Sequence, residues 1–211
     1  MKTNNFNLLG MLKAFTLIAA ISVGTISCDN QELDGMENTN SYNSSFEKTL
    51  NSTSKGSNGA PAPGDTPIAG IAVNAGFNEL VGALVYVDQE LNAGLVDLFA
   101  NGKDQYTVFA PTDAAFENLY AALNVDDITD LPAPLVLDVL KYHVVEGRRA
   151  ANSVVPKTGS REITTLLGST FWVNTSGMIT AVGNTATITT ANISASNGII
   201  HVVDTVLLPI K

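Results

Sequence analysis

The chain holds two histidines, and both stand in the same short setting: His143-Val144-Val145-Glu146 and His201-Val202-Val203-Asp204. An imidazole three residues ahead of a carboxylate is raw material for general acid–base chemistry, because the ring titrates near neutral pH and the carboxylate can fix its tautomer. Two such pairs meeting at one cleft would make an active site. Such a pair still needs a nucleophile or a metal. Cys28 is the only cysteine, and no His-Glu-x-x-His or Gly-x-Ser-x-Gly segment occurs, so no motif supplies either one. A Ser-x-x-Lys match, Ser52 to Lys55, falls in a polar stretch without the rigid helix that this nucleophile motif requires.

The elements that carry the histidines decide how they point. Asp130, Pro132 and Pro134 open a helix through "LVLDVLKYHVV", whose apolar face is Leu135, Val136, Val139 and Leu140. His143 follows Val139 by four and Tyr142 follows Leu135 by seven, so both lie on or beside that face, with Glu146 a helical neighbour of His143. His201 belongs to a strand in which Ile199, Val203 and Leu207 share its side, while Ile200, Val202 and Val206 take the other. A strand apolar on both sides is a central one. Asp204 falls on the face opposite His201, so the equal spacing of the two pairs does not give equal geometry. Both imidazoles are expected to be packing residues, and the chain reads as neither an enzyme nor a cofactor protein.

The remaining pattern is helices first and strands after. Phe77, Leu80, Val81, Leu84 and Val85 follow the helical period, and Leu91, Leu95, Leu98 and Phe99 form a second run. "YTVFA" reads as a strand stopped by Pro111-Thr112-Asp113, where Thr112 can cap "AAFENLYAAL" and Asp113 suits its first turn. From Glu162 the period becomes that of strands, with turns at Ser176-Gly177, Gly183-Asn184 and Asn197-Gly198. This predicts an α+β domain over residues 67–211. Asp126, Asp127 and Asp130 lack the glycine and distal glutamate of a calcium loop, so no metal site is expected. Trp172 in "TFWVN" is expected to pack in the core, the alternative being an exposed platform for stacking sugars.

At 211 residues with 45% hydrophobic content, one domain plus extensions is the natural size. The net charge of −9 gives no electrostatic footprint for nucleic acid. Charge is uneven. From Glu79 to Asp138 there are 11 acidic residues against one basic, whereas Arg148, Arg149, Lys157 and Arg161 fall within 14 residues. Residues 1–27 carry lysines and then an apolar run of about 14 residues, short of the ~20 a spanning helix needs, which marks a signal peptide. It ends at Cys28, a lone thiol after small residues, in the manner of a bacterial lipoprotein's acylation site. More than one acyl chain would make that anchor stable. In residues 29–67, 23 of 39 are Gly, Asn, Ser, Thr or Pro, so residues 28–66 read as a flexible tether. Its early acids Asp29, Glu32, Asp34 and Glu37 resemble the sorting signals of surface-exposed Bacteroidetes lipoproteins, which places the chain in the cell envelope as an outer-membrane lipoprotein.

"YTVFAPTDAAF" (106–116), "YHVVEG" (142–147) and "NGIIHVVDTVLLP" (197–209) resemble, in order and spacing, the three hallmark segments of the fasciclin domain. The resemblance covers essentially all of residues 67–211. It implies a wedge-shaped β-sandwich with helices on one side, and a role in adhesion. In animal members the Tyr-His pair and nearby aliphatic residues are implicated in integrin binding. The matching positions here are Tyr142 and His143 with Leu140, Val144 and Val145, for a matrix or surface protein partner of another kind, the membrane being met through the lipid alone. An alternative is binding of anionic polysaccharide through Arg148, Arg149, Lys157 and Arg161.

Overall fold

Three short helices precede the first strand in a computed structural model, which describes residues 61–210: α1 (Ile68–Asn74), α2 (Asn78–Leu91) and α3 (Leu95–Asn101). The expected signal peptide, Cys28 and most of the expected tether lie outside these residues. α1 precedes the first periodic run, because seven residues with one buried pair, Ile68 and Ala72, show no full period. In α2 the buried stripe is Leu80, Ala83, Leu84 and Val87. Val85 lies one position off that stripe and is exposed.

Strand β1 (Tyr106–Pro111) then leads into α4 (Asp113–Leu123), a 3₁₀ turn (Ile128–Asp130) and α5 (Ala133–Tyr142). Helix α5 ends at Tyr142, with His143 as its C-cap, and Val144–Glu146 forms strand β2. The stretch expected to be one helix is therefore two elements. β-branched Val144 and Val145 pair antiparallel with Val108 and Thr107 of β1, and a buried valine pair fits either period, so only the presence of β1 decides. Glu146 is exposed at the end of β2, not a helical neighbour of His143.

After the short helix α6 (Ala151–Val154) come β3 (Ser160–Thr164), β4 (Thr170–Asn174), β5 (Met178–Thr180), β6 (Thr185–Ala195) and β7 (Gly198–Val203). The strands form one sheet in the order β2-β1-β7-β6-β5-β4-β3. β7 is central as expected, parallel to β1 on one side and antiparallel to β6 on the other. The long β6 makes the sheet fold on itself. Its first residues pair with β5 and its last with β7, with register shifts between Ile188 and Ile193 and Asn192 at φ 67°. Such irregularities bend a strand and increase its twist.

Two cores result, one on each face of β1 and β7. Leu80, Leu84, Phe99, Phe116, Ile200 and Val202 belong to the first, between helices and sheet. Phe109, Tyr142, Ile163, Phe171, Val203 and Leu207 belong to the second, between the two halves of the folded sheet. The split of Ile200 and Val202 from Val203 and Leu207 is the alternation expected for this strand. Each large side chain so buried stabilises the fold by roughly 1.5–3 kcal/mol.

The β6–β7 hairpin loop is Ser196-Asn197, one residue earlier than the expected Asn197-Gly198 turn, and Gly198 opens β7 opposite Ala195. Close approach requires this glycine: a Cβ here would stand 2.1 Å from the Tyr106 carbonyl oxygen. Residues 61–66, read as the end of the tether, are bound to the same hairpin. Gly64 donates to the Ala195 carbonyl at 3.3 Å and Ser196 to the Thr66 carbonyl at 2.9 Å.

Candidate functional site

Both histidines are buried, and backbone groups occupy all four of their ring nitrogens. His143 Nδ1–H donates to the Val139 carbonyl at 2.7 Å, and its Nε2 accepts from the Leu207 amide at 2.9 Å. His201 has the opposite tautomer: Nε2–H donates to the Arg149 carbonyl at 2.9 Å and Nδ1 accepts from the Asn192 amide at 3.3 Å. Neither ring bonds to a carboxylate. Burial drives His143 down to about 4, against the opposing pull of its Val139 bond, and lowers His201 as well. Both are held neutral. They sit across β1 from each other, since the His143 carbonyl accepts from Phe109 and Phe109 is in register with His201. They occupy opposite faces. His143 borders the helix-lined side, and His201 lies 5.5 Å from the Phe109 ring on the other. They do not converge on one cleft.

The five residues expected to bind a partner do not form a surface. Leu140 and Val144 belong to the first core, Tyr142 and Val145 to the second, and with His143 all are at most 5% exposed. Tyr142 stands edge-on to Phe171 at 5.9 Å, and its hydroxyl donates to the Thr170 carbonyl at 2.8 Å. The reason is local geometry: Leu140 and Tyr142 stand about 200° apart around helix α5, and strand alternation parts Val144 from Val145. Tyr142 and Val145 are closed to a partner unless the fold opens, and Leu140, His143 and Val144 border only an apolar cavity among the helices.

The basic segment also divides. Arg148 points inward as a clamp, donating to the Ala195 carbonyl at 2.9 Å, the Pro61 carbonyl at 3.1 Å, Ser194 Oγ at 2.6 Å and the Gly198 carbonyl. Its guanidinium, lowered in pKa by burial, is spent on the hairpin and residues 61–62 and is not offered to a polysaccharide. Arg161 donates to the Asn152 and Ser153 carbonyls on α6. Lys157 is exposed, and Arg149 is half-buried with one bond from its side chain, to the Glu146 carbonyl at 3.3 Å. The four charges do not make one patch.

Two features do face outward. Trp172, expected in the core, is 47% exposed. Its neighbours Phe171 and Val173 take the inner positions of β4, so alternation sends the indole out. Glu162 and Thr180 stand beside it in register, and Thr170 Oγ1 donates to Glu162 Oε1 at 3.0 Å. The second feature is an apolar cavity of about 100 Å³ among α1, α2, α3 and α5. Val73, Val85 and Val96 stand exposed at it. Sequence reading misses the cavity because its walls come from four separate helices.

Four of the acids in the helical half serve as caps. Asp113 Oδ1 accepts from the Glu79 amide at 3.0 Å and Oδ2 from Asn78 Nδ2 at 3.0 Å, at the start of α2, while Thr112 Oγ1 caps α4 through Ala115. Asp88 accepts from the Leu95 and Val96 amides at the start of α3. Asp127 and Asp130 form a capping box, and no group of three metal-ligating side chains occurs among the described residues. Asn197 is more than a turn residue. Buried, it accepts from the Ile68 amide at 2.8 Å and donates to the Phe99 carbonyl at 3.0 Å, joining α1 and α3 to the hairpin.

The amino-acid sequence is similar to those of known proteins. The chain is 37% identical over 142 residues to immunogenic protein MPB70 of Mycobacterium bovis, covering 66% of this chain and 68% of that protein. It is 34% identical over 169 residues to protein sll1483 of Synechocystis, covering 76% and 84%. Cell surface glycolipoprotein MPB83 of Mycobacterium bovis is 33% identical over 123 residues, covering 56% and 49%. The fasciclin domain family model matches residues 76–209, spanning β1, the Tyr142-His143 reversal and the β6–β7 hairpin, and the chain belongs to the fasciclin domain family.

Proposed function

We propose that this protein is an interaction module of the bacterial cell envelope, an outer-membrane lipoprotein tethered through Cys28, whose folded head adheres to a matrix or surface partner. The observation that supports it most is the likeness to a relative named as a cell surface glycolipoprotein, in a chain whose apolar leader runs into its one cysteine. Tyr142 and His143 act as internal struts, so contact is made by outward surfaces. Labelling with radioactive palmitate in a Gram-negative host tests the anchor. Wild type carries the label and pellets with membranes, and Cys28→Ser loses both. Label retained in Cys28→Ser rejects the tether.

Polysaccharide binding is the second reading, and the outward indole of Trp172 favours it. The apolar face of a sugar ring stacks on an exposed indole, and Glu162 and Thr180 offer polar groups to its hydroxyls. This moves the glycan site from the basic segment, where Arg149 and Lys157 remain for anionic groups, to the outer sheet face. Arrays of glycans and matrix proteins, probed at two salt concentrations, separate these readings. Binding lost in Trp172→Ala and insensitive to salt assigns a neutral glycan to the sheet. Binding lost in the Arg149→Ala/Lys157→Ala double variant and at high salt assigns an anionic polymer. A protein ligand unaffected by either change leaves adhesion standing and removes the glycan reading.

A further inference from the structure

The cavity among α1, α2, α3 and α5 has a composition of its own. Ile68, Ala72, Leu80, Leu84 and Phe99 line it, and no polar atom reaches its accessible wall. His143 borders it, but both of its ring nitrogens are already bonded elsewhere. A peptide laid here would leave its backbone donors and acceptors unpaired, which disfavours a polypeptide occupant. A hydrocarbon chain needs no partner of that kind. Its volume of about 100 Å³ compares with the roughly 150 Å³ of an apolar cavity that takes up benzene, so it holds a short run of methylenes. Val73, at 61% exposure, with Val85 and Val96 extends the apolar surface outward for more of a chain.

One charged residue borders this space. Lys141 contributes its aliphatic stem to the wall, and among the described residues its ammonium has no hydrogen bond or ion pair. No carboxylate lines the cavity. A lysine stem beside hydrocarbon with its head free to reach water suits a ligand that is apolar at one end and anionic at the other. We infer that this cavity binds a single-chain fatty acid, its tail among the helices and its carboxylate beside Lys141. This goes beyond the adhesion reading and does not depend on it.

The test is titration of ¹³C-carboxyl dodecanoate, below its micelle concentration, into the full chain bearing Cys28→Ser. The expected result is saturable one-to-one binding. Lys141→Glu weakens dodecanoate about tenfold while leaving dodecanol within about twofold, because the charge pairs only with the carboxylate. Ala69→Phe, at a half-buried position on the wall, weakens both ligands, and thermal melting confirms that each variant is folded. The surface change at Lys141 keeps the test valid should the filled cavity prevent folding. Absence of saturable binding overturns the proposal. Equal affinity for dodecanoate and dodecyltrimethylammonium overturns the anionic head group. A dimer in sedimentation, dispersed by Val73→Glu and unresponsive to dodecanoate, would show that this face meets a second copy and overturn the ligand site.

Discussion

Protonating His143 would turn its Nε2 from the acceptor of the Leu207 amide into a second donor facing that amide. The folded chain therefore refuses a proton that the unfolded chain accepts near 6.5, and does so until about 4. The sign follows: this stability is fully present above about 6.5 and is lost as pH falls toward 4, on the order of 3 kcal/mol over the whole span. His201, also lowered by burial, acts in the same direction. Urea unfolding midpoints should drop between about pH 7 and about pH 5, and His143→Gln should flatten part of that drop. An unchanged slope in the variant would assign the effect to other groups. Asn197 gives a second residue-scale test. Asn197→Ala strands the Ile68 amide and the Phe99 carbonyl, at about 1–3 kcal/mol each. Asn197→Asp keeps the acceptor for Ile68 but sets an oxygen against the Phe99 carbonyl, so it should not restore stability in the same urea measurement.

Among the elements, β4 separates packing from display over two adjacent residues. Phe171→Ala empties a fully buried site edge-on to Phe109 and Tyr142 and should cost about 3–5 kcal/mol. Trp172→Ala removes a larger but half-exposed ring and should cost about 1 kcal/mol or less. Comparing denaturant midpoints of the two variants checks this, and equal losses would mean the indole packs after all. The segment after β2 shows the same division. Arg148→Ala should cost about 2 kcal/mol and speed exchange of the Gly64 amide, because the clamp on residues 61–62 is gone. Lys157→Ala, at an exposed position, should stay within about 0.5 kcal/mol.

At the scale of the molecule, the two cores share β1 and β7, whose residues from Thr107 and Gly198 onward are buried throughout. Removing packing from either face exposes the same two strands, so helices and folded sheet should unfold in one transition. Circular dichroism follows the helices, and the fluorescence of Trp172, the one tryptophan, follows the far part of the sheet. The two traces should coincide, and Leu80→Ala and Phe171→Ala should lower the same midpoint. Separate transitions would show that the halves fold independently.

The sequence by itself determined what repeats locally. Periods of 3.6 and 2 located most helices and strands, and the two-sided apolar run 199–207 made β7 central before any partner strand was known. The hallmark segments 106–116, 142–147 and 197–209 pointed to the family. Tertiary structure alone decided where side chains face when their neighbours are equally apolar. Val144 and Val145 became a strand because β1 lay alongside, and strand alternation sent them into different cores. Arg148 turned inward because the hairpin offered it carbonyls. Trp172 turned outward because Phe171 and Val173 held the inner positions of β4. The cavity beside Lys141 has walls drawn from residues 68 to 166, so no local window of sequence contains it. Pattern reports which residues can be buried, whereas contacts between distant segments fix which of them are.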